Sequence, residues 1–155
     1  MARAAIGIGS NDGDAEANVR EAFIKLQSLG TLEVRSSLYR TKAWGVTDQP
    51  DFYNAAAIVE TSLEPHDLLR ELKRIEREMG RTTTYRWGPR VIDLDILTYD
   101  DVRLDESDLQ IPHALMNQRA FVLVPLAEID ARFIAKRDGL PAPALAEVVR
   151  LTKFE

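Results

Sequence analysis

Residues 52–80 read FYNAAAIVETSLEPHDLLRELKRIEREMG, and a change of period inside this stretch decides the fold. Phe52 to Thr61 is strand-like, rich in apolar residues and bounded by Ser62. From Pro65 onward the apolar residues recur as Leu68, Leu72, Ile75 and Met79, one stripe of a helix that ends at Gly80. Pro65 suits the first helical position, where a backbone N–H has no intrahelical partner anyway.

The flanks repeat this alternation. Upstream, Ala4 to Ile8 is a short apolar run closed by Gly9-Ser10-Asn11, a first strand and its turn. Val19, Ala22, Phe23, Leu26 and Leu29 then follow at helical spacing, with Gly30 as a stop, and Leu32 to Arg40 alternates as one further strand. Thr41 to Asp51 and Arg81 to Pro89 carry no apolar pattern and read as loops. Downstream, Val91 to Tyr99 is a strand turning at Asp100-Asp101, and pairing with Val102 to Leu104 would make a hairpin. Short helices are expected near Gln118 to Glu128 and from Pro143 to Val149. The order βαββαβ predicts an α+β sandwich of ferredoxin-like type, helices on a largely antiparallel sheet, as one domain over residues 1–155.

Composition narrows the chemistry. With no cysteine among 155 residues, disulfides, thiolate metal sites and thiol nucleophiles are excluded. A net charge of −5 argues against a general nucleic-acid binder. The opening Met1-Ala2-Arg3 lacks a long apolar signal region and no stretch is apolar enough to span a bilayer, so a soluble cytoplasmic protein is expected. No exposed apolar helix demands a dimer, and a monomer is expected. Local charge differs: Arg70, Lys73, Arg74, Arg77, Arg81, Arg86 and Arg90 are seven basic residues against three acidic ones between positions 70 and 90. A small anion fits there, although the helical part of that stripe is also what a solvated face looks like.

Asp93-Leu94-Asp95 is the sharpest local signal, because residues two apart on a strand project from one face while Ile92, Leu94 and Ile96 take the other. Two carboxylates about 5 Å apart repel by roughly 3 kcal/mol at an effective dielectric near 20, so a cation should compensate them. Hard oxygen donors favour Mg²⁺; the plainer alternative is surface aspartates, one of them bonded to Arg90. No P-loop occurs. Gly7, Gly9 and Gly13 miss the dinucleotide-binding spacing, and Gly7 and Gly9 read as turn residues.

Trp87-Gly88-Pro89-Arg90-Val91-Ile92-Asp93-Leu94-Asp95-Ile96 resembles the signature segment of the hydroxymethyldihydropterin pyrophosphokinases. Gly9-Ser10-Asn11, Gln49-Pro50-Asp51-Phe52-Tyr53-Asn54-Ala55, Pro112-His113 and Arg119-Ala120-Phe121 resemble the family in the same order along nearly the whole chain.

The resemblance implies transfer of a diphosphate group from ATP to the hydroxymethyl group of 6-hydroxymethyl-7,8-dihydropterin. It implies two Mg²⁺ ions on Asp93 and Asp95, and electrostatic catalysis by Arg81 and Arg90. The pterin ring is expected between Phe52 and Phe121, its edge read by Asn54 with Thr41, Ala43 and Trp44 nearby. For ATP the resemblance nominates Lys73, Glu76, Trp87, Arg90, Ile96, His113 and Arg119. Ala43 stands where the family often has proline, and Lys73 where it often has a neutral amide. A metal-dependent nucleotidyltransferase would also use paired aspartates and arginines, but would release diphosphate in place of AMP. A ferredoxin-like binding module for RNA or a regulatory metabolite is the noncatalytic rival, opposed for RNA by the acidic charge and the lack of an aromatic-basic strand.

Overall fold

The computed structural model describes residues 1–42, 50–80 and 91–152. In chain order the elements are β1 (Ala2–Ser10), α1 (Ala15–Leu26), β2 (Thr31–Arg35), β3 (Leu38–Thr41), β4 (Phe52–Thr61), α2 (Pro65–Glu78) and β5 (Asp93–Tyr99). A small hairpin, β6 (Leu104–Asp105) and β7 (Gln110–Ile111), follows, then α3 (Ala120–Ile129), α4 (Ile134–Asp138), α5 (Ala142–Ala146) and β8 (Val149–Thr152). The main sheet runs β5-β1-β4-β3-β8, with β2 also beside β4, and every pairing is antiparallel. Through β5, with β2 and β3 counted as two halves of one interrupted strand beside β4, this is the ferredoxin-like order that the sequence predicts.

Local signals explain the helix ends. The Asp14 carboxylate accepts from Ala17 N at 3.2 Å and caps α1. Past a 3-10 turn over Gln27–Leu29, the chain passes so close to β4 that a Cβ on Gly30 would lie 2.0 Å from Glu60 O. Pro65 opens α2 without a side-chain cap.

Three predicted features are corrected. Leu32 to Arg40 is two strands, because Ser36 and Ser37 interrupt the alternation and the Ser36 hydroxyl accepts from Ala56 N at 2.9 Å in place of a regular ladder. Val102 to Leu104 does not pair with β5. Asp100, at φ 47°, turns the chain away, Leu104 pairs with Ile111, and the free edge of β5 is met by His113 N donating to Leu97 O at 3.0 Å. The last helix is α5, which stops at Ala146, and Val149–Thr152 is a strand on β3.

The core has two sides. Ile6 and Ile8 of β1, Ala57 and Val59 of β4, and Leu94 and Ile96 of β5 pack against Val19, Phe23 and Leu26 of α1 and Leu68, Leu72 and Ile75 of α2. On the opposite face Ala5, Ile58 and Leu97 meet Met116, Phe133, and Leu123 and Leu126 of α3. Among the described residues, α3 covers only part of that second face. The remaining part, where β1 carries glycines, forms a cleft.

Candidate active site

The register of the sheet assembles the cleft floor. Asp93 of β5 stands opposite Gly9 of β1, Gly9 opposite Asn54 of β4, and Asn54 opposite Tyr39 of β3. In the next row Asp95 stands opposite Gly7, and Gly7 opposite Ala56. Asp93 and Asn54 are thus two strand spacings, about 10 Å, apart on one face, with only glycine backbone between them.

Neither glycine lies in a turn. Both are within β1 and neither has positive φ. What they supply is room: a Cβ on Gly9 would come within 3.1 Å of Asn54 Oδ1, and one on Gly7 within 3.2 Å of Leu97. This corrects their reading as turn residues, and is the part of the site that sequence reasoning missed. The available signal was two glycines two apart in a strand, the period that puts both on one face.

Around the floor stand Thr41, Phe52, Asn54, Asp93, Asp95, His113, Arg119 and Phe121, all lining one cleft. Asn54 is buried, and its Nδ2 donates to Thr41 Oγ1 at 3.1 Å, which fixes the amide with its oxygen over Gly9. Phe52 comes from β4 and Phe121 from the first turn of α3, so a flat ring has an aromatic neighbour from two separate elements. The Arg119 guanidinium carbon lies 5.5 Å from the centroid of the Phe121 ring.

His113 follows a cis Ile111–Pro112 peptide bond. Its Nδ1 accepts from Leu115 N at 3.4 Å, leaving Nε2 to carry the proton of the neutral ring. Burial, with the charge of Arg119, pushes the His113 imidazole below its ordinary value against the pull of Asp93. At neutral pH it is therefore an uncharged N–H donor.

Asp93 and Asp95 are a pair suited to a divalent cation: hard oxygens on one strand face, lining the cleft, in a chain without thiolates. Their strand is held from behind by Glu76 of α2, whose buried Oε2 accepts from Leu94 N at 2.8 Å.

Not every nominated residue joins the cleft lining. Glu76 is buried behind β5, Lys73 is exposed with Nζ 3.8 Å from Glu76, and the Ile96 side chain is in the core on the α1–α2 face. Ala43, Trp44, Arg81, Trp87 and Arg90 lie outside the described residues. Along α2 the basic stripe is paired locally, Arg70 with Asp67 and Arg74 with both Glu71 and Glu78. His66, away from the cleft lining, has Nε2 2.5 Å from Glu106 and ties the start of α2 to the β6–β7 hairpin.

Comparison with known proteins gives concordant results. The sequence profile described as 7,8-dihydro-6-hydroxymethylpterin-pyrophosphokinase matches residues 5–131. The 2-amino-4-hydroxy-6-hydroxymethyldihydropteridine pyrophosphokinase of Methylorubrum extorquens is 47% identical over 131 residues, 83% of each chain. That of Bacillus subtilis is 44% identical over 150 residues, covering 96% of this chain and 89% of its own. Among solved structures, Plasmodium falciparum HPPK-DHPS wild type with pteroate superposes with a TM-score of 0.63 at 18% identity, over 82% of this chain and 38% of that longer one. At that identity the likeness supports the fold alone.

Proposed function

Because this chain belongs to the 7,8-dihydro-6-hydroxymethylpterin-pyrophosphokinase family, we propose that it transfers diphosphate from ATP to the hydroxymethyl group of 6-hydroxymethyl-7,8-dihydropterin, as a step in folate biosynthesis. The observation that carries the reading to particular residues is the cross-strand row Asp93–Gly9–Asn54, which sets a cation-holding carboxylate and an amide on one side-chain-free floor.

The pterin lies between Phe52 and Phe121, and its amide-like edge meets Asn54, oriented by Thr41. Stacking selects a flat heterocycle, and hydrogen bonding selects its edge. Neutral His113 donates from Nε2, and Arg119 adds positive charge, toward the phosphates of ATP. Asp93 and Asp95 hold Mg²⁺, in two ions; bound there, the metal neutralises triphosphate charge and polarises the phosphorus under attack. Arg81 and Arg90 supply further charge to the transferring group.

In the reaction, the pterin hydroxymethyl oxygen attacks the β-phosphorus in line. The bond from that phosphorus to the oxygen bridging it to the α-phosphorus breaks, AMP leaves with the bonding pair, and the hydroxyl proton passes to solvent. No side chain is assigned as general base, since positioning and charge neutralisation can carry phosphoryl-type transfer. The enzyme acts on these two small molecules as a single-domain monomer in the cytoplasm, without nucleic-acid or membrane partners. Among the described residues no helix is long and apolar enough to cross a membrane.

The test is nucleotide analysis after mixing the protein with ATP, Mg²⁺ and the reduced pterin alcohol. Pterin-dependent AMP without free diphosphate is expected. ADP as the only nucleotide product, or no reaction from folded protein, would overturn the proposal.

A further inference from the structure

Glu128 stands on the cleft side of the sheet without lining the cleft. It lies near the end of α3, seven residues and about two helical turns beyond Phe121. Its carboxylate makes three bonds to the sheet, at the β2–β3 break and on β3. Oε1 accepts from Ser37 N at 2.9 Å and from Tyr39 Oη at 2.6 Å, and Oε2 accepts from Ser37 Oγ at 2.8 Å.

Both ends of this contact lead to the cleft. Tyr39 stands opposite Asn54 in the row that ends at Asp93, and two residues further along β3 Thr41 accepts the hydrogen bond that orients the Asn54 amide. On the helix side the same α3 carries Phe121 and Val122 into the cleft lining. Glu128 therefore joins the element bearing one aromatic wall to the strand bearing the amide's partner. The joint sits where β2 and β3 are interrupted: Ser37 N donates to Glu128, while Ser36 turns back to Ala56.

We propose that Glu128 is a positioning residue for the pterin, fixing α3 against β3 so that the distance from Phe121 to the Phe52 and Asn54 side of the cleft suits one flat ring. This rests on the pterin reading above. The role is geometric and does not need the negative charge. A glutamine has the same shape, its Oε1 can accept from Ser37 N and Tyr39 Oη, and its amide can donate to a reoriented Ser37 hydroxyl. Alanine makes none of these bonds and leaves α3 held to the sheet by its apolar contacts alone, so that its Phe121 end can shift. An ångström of displacement is enough to lose stacking geometry.

The experiment compares wild type, Glu128→Gln, Glu128→Ala and Tyr39→Phe by steady-state AMP release. Calorimetric titration with the pterin and with an ATP analogue, and thermal unfolding, accompany it. Glu128→Ala is expected to raise the KM and Kd for pterin on the order of tenfold while those for ATP move less than about twofold. Glu128→Gln should restore the wild-type pterin values, and Tyr39→Phe, lacking one of the three bonds, should fall between. If Glu128→Ala fails to fold, Tyr39→Phe decides. Glutamine as damaging as alanine, equal losses for both ligands, or an unchanged pterin constant in Tyr39→Phe would each overturn the proposal. Pterin binding without turnover in wild type would refute the reaction but leave this comparison standing in the calorimetric data; absence of pterin binding would overturn both.

Discussion

Gly7 and Gly9 are the residues whose contribution consists of what they lack. Side chains of Asp93, Asp95 and Asn54 rise from their own strands, and the space between them exists because the two intervening β1 positions have no Cβ. Gly9→Val, a good strand former, should keep the fold but push its branched side chain into Asn54 Oδ1, already within 3.1 Å of where a Cβ would stand. Calorimetry should then record pterin affinity lowered on the order of tenfold or more beside an unchanged circular dichroism spectrum; retained affinity would show that the floor is not where the ring lies. The aspartates make the complementary case. Asp93→Ala or Asp95→Ala should reduce turnover at least about a hundredfold, since each removes an oxygen donor for the cation. Near-normal AMP release at limiting Mg²⁺ in both variants would refute the metal role. The aspartates were legible because a period of two on a strand is a property of a single segment. The glycines were not, because their reason lies across the ladder, in Asn54 on one side and in Asp93 and Asp95 on the other.

At the scale of elements, legibility follows the same division. Helices α1 and α2 each bury one stripe, so Val19, Phe23 and Leu26, or Leu68, Leu72 and Ile75, announce them without reference to any other segment. β8 has no such announcement. Val149 and Leu151 remain substantially exposed, and the segment is a strand because β3 presents an edge to it. Pairing likewise decides the fate of Leu104, which has Ile111 as partner and not β5. Glu76 belongs here too. The family resemblance nominates Glu76 for ATP; in the structure it is buried, and its bond to Leu94 N fastens the helix to the strand between the two cleft aspartates. Removing it leaves a buried N–H without its acceptor, which costs about 2 kcal/mol. Glu76→Ala should therefore lower the unfolding free energy by about that amount in a denaturant titration and speed exchange of the Leu94 amide. Full protection of that amide in the variant would mean another acceptor replaces Glu76.

Across the whole molecule the order βαβββαβ through β5 fixes which face of the sheet is sealed by α1 and α2, and the chain after β5 supplies α3 to the other face. The sequence order made the first layer plain. The second is held partly by apolar contacts through Leu123 and Leu126 and partly by Glu128, whose partners lie roughly ninety residues away. No short-range pattern could reveal that. The attachment of this layer should be visible in the pH dependence of global stability. Burial pushes the Glu128 carboxyl up, but hydrogen bonds from the Tyr39 hydroxyl and from Ser37, with the charge of Arg150, outweigh it and hold the group below its ordinary value of 4.5. Burial and then the Glu128 carboxylate push the Tyr39 hydroxyl up, so it stays a donor throughout the accessible range. A carboxyl whose pKa is lower in the folded state is protonated first in the unfolded chain as pH falls. Its stabilising contribution is complete above the unfolded value, declines as pH drops through the folded one, and is absent below both. Glu128→Gln preserves the shape but cannot titrate. The difference in unfolding free energy between wild type and Glu128→Gln, from denaturant titrations between pH 7 and pH 3, should accordingly be largest near neutrality, with wild type the more stable, and should close as the solution is acidified below about 4.5. A difference that is constant across this range, or that grows toward acid, would mean that Ser37 and Tyr39 do not favour the carboxylate over a neutral group at this position.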